Sequence, residues 1–117
     1  MQKIPSTLQE ADGTALLLWI HRNALSAAVS SDARINIGCL ICIAYVHQLL
    51  AKPITCATIG ASCGAHPVKV TNSLAHLVSI DVLESYQPDP GTDTHYIFTD
   101  GFTDQIKQLH ATIVTVH

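Results

Sequence analysis

Between His66 and Ile80 the chain carries polar side chains of one kind along a stretch with helical periodicity. His66, Lys69, Thr71, Asn72, Ser73 and His76 are interleaved with Val70, Leu74 and Leu77, whose i, i+4, i+7 spacing makes one apolar face. Polar residues of these types match the edges of DNA bases and the phosphates between them. An Asn amide pairs bidentately with adenine, and Thr or Ser hydroxyls contact bases or backbone. Lys69 is the only formal cation on this stretch, with Lys52 before it and His95 after it as further candidates for DNA contact.

Such a helix needs elements that present it. Thr55 is placed to cap a short helix from Cys56 to about Ser62, and Gly60 falls where two crossing helices need a small residue. Gly64 supplies a turn in which positive φ costs a glycine nothing. A second helix then starts near His66, with Pro67 in its first turn, where a missing N–H is harmless. This is the layout of a helix-turn-helix, whose second helix enters the major groove.

The flanks complete the pattern. Asp12 or Thr14 is placed to cap a first helix running to about Val29, which Ser30-Ser31-Asp32 breaks. A core helix from about Asn36 to Ala51 is apolar almost all round and ends before Pro53. Val82–Tyr86 and His95–Phe98 read as strands joined by the turn-rich tip Gln87–Thr94, and a last helix spans Thr103 to about Val114. The fold class expected is mainly α with a small β-hairpin (α+β), a winged helix-turn-helix with an extra helix at each end. The chain reads as a single domain. Residues 14–30 form a dimerisation helix, 35–98 the winged-helix core and 103–114 the C-terminal helix.

Charge runs against the architecture. Hydrophobic residues make up 48% of the 117 residues and charged residues 13%, against roughly a quarter charged in typical domains. That suggests apolar surface covered by a second copy. No Lys or Arg stands between Val70 and Ile106, and Arg34 is the other cation near the motif. The net charge is −3, and protonating all seven histidines would reverse its sign. Histidine titrates near neutrality when unperturbed, so DNA binding is expected to strengthen in mild acid as His66, His76 and His95 gain charge.

The polar start MQKIPSTLQEADG does not read as a signal peptide, and the apolar runs Ala15–Ile20 and Ile37–Val46 are shorter than a membrane span. A cytoplasmic protein with reduced thiols and no membrane partner is expected. No nucleophile–base pair, phosphate-binding glycine loop or paired-carboxylate motif appears, so no enzyme activity and no cofactor are expected.

The run as a whole resembles the MarR family of bacterial winged-helix repressors. The resembling pieces are ALLLWIHRNALSAAV, the core helix, PITCATIGASCG, IDVLES entering the wing, and FTDGFTDQIKQL after it, covering roughly residues 14–112. Phe98-Thr99-Asp100-Gly101 is similar to the Leu-Thr and glycine that commonly follow the wing there. The resemblance implies a homodimer that binds double-stranded DNA at a palindromic operator and represses transcription, released by a small-molecule effector or by thiol oxidation. Two departures stand out. The family's basic wing pair is replaced by the acidic tip Pro88–Asp93, and the C-terminal dimer helix is short. A shorter match is local: His66-Pro67-Val68-Lys69-Val70 is similar to the Asn-Pro-Val-x-Val opening of recognition helices in the iron–sulfur-cluster-regulator (IscR) type. The long N-terminal extension and a wing without cysteine count against that type. An acidic wing also suits a protein-interaction module, the alternative reading.

Cys39-x2-Cys42 can bind zinc or act as a redox pair, but inside an apolar helix it reads as two small buried hydrophobes. Cys63, beside Gly64, is the expected exposed thiol and candidate oxidant sensor. The histidines show no His-x3-His pair, so no metal site is expected, and His47 reads as a polar edge residue. Leu16, Leu17, Trp19 and Ile20 are candidates for a ligand pocket between the first helix and the DNA motif, or for a dimer interface.

Overall fold

The computed structural model describes residues 8–27 and 36–116. The expected end of the first helix at Val29, the break at residues 30–32 and the candidate cation Arg34 lie outside the described residues.

The chain enters through a 3-10 turn, Glu10–Asp12, that runs straight into α1, Gly13–Ala27. Neither Asp12 nor Thr14 caps α1 as the sequence suggests. Asp12 is buried and accepts the Gln9 N–H at 3.0 Å, holding the turn closed. The Tyr45 hydroxyl donates to Gln9 O at 2.7 Å and ties this entry to the core helix. Burial first, then the carboxylates of Asp12 and Glu10, push the Tyr45 phenol above its ordinary value.

The core helix α2 spans Ile37–Leu49, with Asn36 at its N-cap accepting the Cys39 N–H at 3.2 Å. Its buried residues include Leu40, Ile41, Ala44 and Tyr45, while Val46, Leu49 and Leu50 are exposed. The helix stops before the expected Ala51 because Ala51 turns left-handed, at φ 56°.

A strand that the sequence reading lacks follows. β1, Ile54–Thr55, is two residues long, too short for any alternation to register. It pairs with β3, His95–Phe98, whose other edge carries β2, Leu83–Tyr86. The three strands form an antiparallel sheet in the order β1-β3-β2, with Leu83 opposite Phe98 and Tyr86 opposite His95.

Between β1 and β2 lie α3, Cys56–Cys63, and α4, Pro67–Ser79. Thr55 caps α3 as expected: its hydroxyl accepts the Thr58 N–H at 3.1 Å and its own N–H donates to Thr58 Oγ1 at 2.9 Å. Gly64 ends α3 in the left-handed conformation, φ 65°, returning its N–H to Gly60 O. Ile59 from α3 and Val70, Leu74 and Leu77 from α4 close the seam between the two helices, all fully buried.

The last helix, α5, spans Asp100–Val116 and so begins ahead of the expected Thr103. Thr99 is the cause. Its Oγ1 accepts the Phe102 N–H at 3.1 Å, an N-cap bond, and donates to Asp81 O at 2.7 Å. Phe102 stacks on Phe98 with ring centres 5.3 Å apart and takes the Trp19 ring edge-on at 4.8 Å, joining α5 to both the sheet and α1.

Candidate nucleic-acid interface

The sequence of α4 divides it into two faces. Val70, Ser73, Leu74 and Leu77 are buried, while Val68, Lys69, Thr71, Asn72, Ala75 and Ser79 are exposed. Lys69, Thr71 and Asn72 therefore stand on the outward side as the periodicity implies. Ser73 does not. It lies inward at 2% exposure, and its hydroxyl donates to Lys69 O at 2.7 Å, so it is withdrawn from any base contact. Its place one turn from Val70 and Leu77 accounts for this.

His76 is half-buried rather than outward, and its Nε2 is shielded without a hydrogen-bond partner among the described residues. His66 is exposed and serves as the N-cap of α4, with Nδ1 accepting the Val68 N–H at 3.1 Å. That bond spends Nδ1 on the helix start and leaves Nε2 as the ring nitrogen not used by the cap. His95, at the root of the wing, holds Nδ1 2.9 Å from Asp93 O and packs against the Tyr86 ring. Lys52 is exposed in the link between α2 and β1.

Val68 is the residue of this face that the sequence reading missed. It is 57% exposed, an unusual position for a branched apolar side chain, in the first turn of α4 beside Lys69. The signal was available, because Val68 falls outside the Val70, Leu74, Leu77 stripe. An apolar side chain at the start of a reading helix suits contact with a thymine methyl.

The wing tip carries exposed Asp89 and Asp93 and turns at Gly91, φ 83°. Between the wing, α3 and the start of α4 runs a cleft of about 610 Å³, lined by Cys56, Gly60, Pro67, Thr71, Asp93 and Tyr96 among others. The Thr71 hydroxyl lies 3.3 Å from Cys56 Sγ across it. Burial and then the Cys56 thiolate push the Tyr96 phenol upward.

The residues grouped as a ligand pocket do not share one. Leu16 is core, Leu17 points outward at 60% exposure, and Trp19 donates its indole N–H to Gln105 Oε1 at 3.1 Å. The hollow beside Trp19 lies between α1 and α5, not between α1 and the helix-turn-helix, and is lined by Arg22, Asn23, Gln105 and Gln108 among others. An apolar run reads as one cluster only when the helix phase is ignored.

The thiols and His47 also depart from expectation. Cys39 is exposed and Cys42 half-buried, so the pair is not two packed hydrophobes. Cys63 is half-buried against the core rather than the most exposed thiol. His47 is buried, not an edge residue, with Nδ1 3.3 Å from Pro53 O and Nε2 2.8 Å from Ser62 Oγ. No group of three or more metal-ligating side chains occurs among the described residues, and no described helix is long and apolar enough to cross a membrane.

No protein-family model and no curated protein sequence matches the chain. Solved structures do. The chain is similar to MepR, a transcription regulator of the Staphylococcus aureus multidrug efflux pump MepA, with a TM-score of 0.50 and 11% identity, covering 92% of this chain and 70% of that one. It is similar also to RV1404 from Mycobacterium tuberculosis, with a TM-score of 0.50 and 17% identity, covering 93% of this chain and 79% of that one. In fold the chain is a winged helix-turn-helix.

Proposed function

We propose that the chain is a DNA-binding transcription regulator in which α4 enters the major groove and the wing rests along the flanking backbone. The observation that carries this reading is the outward face of α4, where Lys69, Thr71 and Asn72 stand exposed beside Val68 on a helix whose other face is locked into the core. The likeness in fold to MepR, itself a transcription regulator, supports it. The regulator acts as a homodimer, with the region of α1 and α5 as the interface, on a palindrome whose half-sites lie about one helical turn apart. Repression by blocking polymerase is the default action, relieved by a small ligand. Lys69→Glu tests the reading. Loss of most duplex affinity with an unchanged melting temperature supports it, and undiminished affinity removes α4 from the groove.

A second reading keeps the fold and changes the partner. Asp89 and Asp93 leave the wing tip acidic, which repels phosphate and suits a basic protein surface. Under that reading Lys69→Glu leaves partner binding intact or improves it.

A further inference from the structure

Cys39 and Cys42 stand one turn apart on α2, Cys39 exposed in the first turn and Cys42 half-buried. Side chains at i and i+3 of a helix share a face, with Cβ atoms roughly 5–6 Å apart. A disulfide needs those atoms at about 3.5–4.5 Å, so direct closure demands a distorted turn. A single pyramidal atom bonded to both sulfurs at about 2.3 Å, with a bond angle near 100°, holds them about 3.5 Å apart, well beyond the roughly 2.05 Å of a disulfide and within reach of side-chain rotation alone. The two thiols lie close enough to interact: burial, and then the charge of Cys39, raises the Cys42 thiol.

The second observation lies beside the pair. Cys42 forms part of the wall of a hollow of about 280 Å³ between α2 and the end of α3, apolar along Ile43, Val46 and Leu50 and bounded by His47, Lys52 and Ser62. An apolar cavity of about 150 Å³ suffices for benzene, so the hollow has room for one ring. No third His, Cys, Asp or Glu joins the thiols among the described residues. Four-coordinate zinc is thus left short of ligands, whereas a centre satisfied by two sulfurs is not.

We propose that Cys39 and Cys42 form a two-thiolate site for a trivalent organoarsenical, whose apolar substituent lies in the hollow beside Cys42. For an arsenical R–As=O, the two S–H bonds and the As=O bond break and two As–S bonds form. The oxygen leaves as water with both thiol protons. Arsenic stays trivalent, and no oxidant takes part. The site stands independently of the DNA reading.

The test uses the full chain with its thiols reduced, phenylarsine oxide as the probe, and intact-mass and peptide-mapping readouts. One adduct per chain is expected, and it shields Cys39 and Cys42 from alkylation while Cys56 and Cys63 still react. C39S and C42S should each weaken binding about 100-fold or more, because the second bond of a chelate is intramolecular. C56S and C63S should leave it unchanged. Arsenite, which lacks the ring, should bind the native chain at least about tenfold more weakly. An adduct mapped in the native chain to Cys56 or Cys63, or retained in C39S, overturns the site. Equal affinity for arsenite overturns the placement of the ring in the hollow.

Discussion

His47 Nε2 lies 2.8 Å from Ser62 Oγ, so one buried imidazole on α2 holds the last turn of α3 next to the turn of the helix-turn-helix. Its other nitrogen lies 3.3 Å from Pro53 O. A carbonyl only accepts, so Nδ1 carries the proton and Nε2 accepts from the Ser62 hydroxyl. His47→Leu keeps the bulk and removes one of two donors to Pro53 O, which still accepts the Thr58 hydroxyl at 2.9 Å, so the cost is about 1 kcal/mol. Thermal denaturation should show a melting temperature lower by several degrees. Ser62→Ala should cost less, because Ser62 is exposed and water can replace its hydroxyl.

Gly60 is less constrained than its place at the crossing suggests. A Cβ there would lie 3.8 Å from Val70 Cγ2 and 3.9 Å from Ala65 O, ordinary contact distances. Gly60→Ala should therefore stabilise the domain by about 0.5–1 kcal/mol through helix propensity, while Gly60→Leu should destabilise it by forcing α3 and α4 apart. Gly64 is the opposite case. At φ 65° an alanine costs about 1–2 kcal/mol. Urea melts of the three variants check the order, and destabilisation by Gly60→Ala would contradict the spacing.

Salt dependence follows from the scarcity of cations. With Lys52 and Lys69 on each protomer as the phosphate contacts, a dimer should show a slope of log affinity against log salt near −3.6, at about 0.9 per phosphate. A slope steeper than about −6 would mean that cations elsewhere carry the binding.

The helix-turn-helix was legible because its signals are local. Thr55 caps, Gly64 turns and Pro67 starts a helix within a few residues of one another. What escaped depended on partners distant in sequence or on phase. β1 exists only because Ile54 and Thr55 meet Tyr96 and His95 across the sheet. α2 is apolar all round, so nothing in its pattern told that His47 faces inward and Cys39 outward. The 100° step of α4 puts Ser73 inward and Val68 outward, against what their residue types alone imply. The early start of α5 rests on Thr99, whose hydroxyl bonds to both Asp81 O and the Phe102 N–H.

Selection from random-sequence duplex DNA by the purified chain, at low salt and at pH 6 and pH 7.5, tests the central claim most directly. Enrichment of a palindrome with half-sites about one helical turn apart is the predicted result. No retention of DNA at either pH would contradict it and turn the search toward a basic protein partner for the acidic wing.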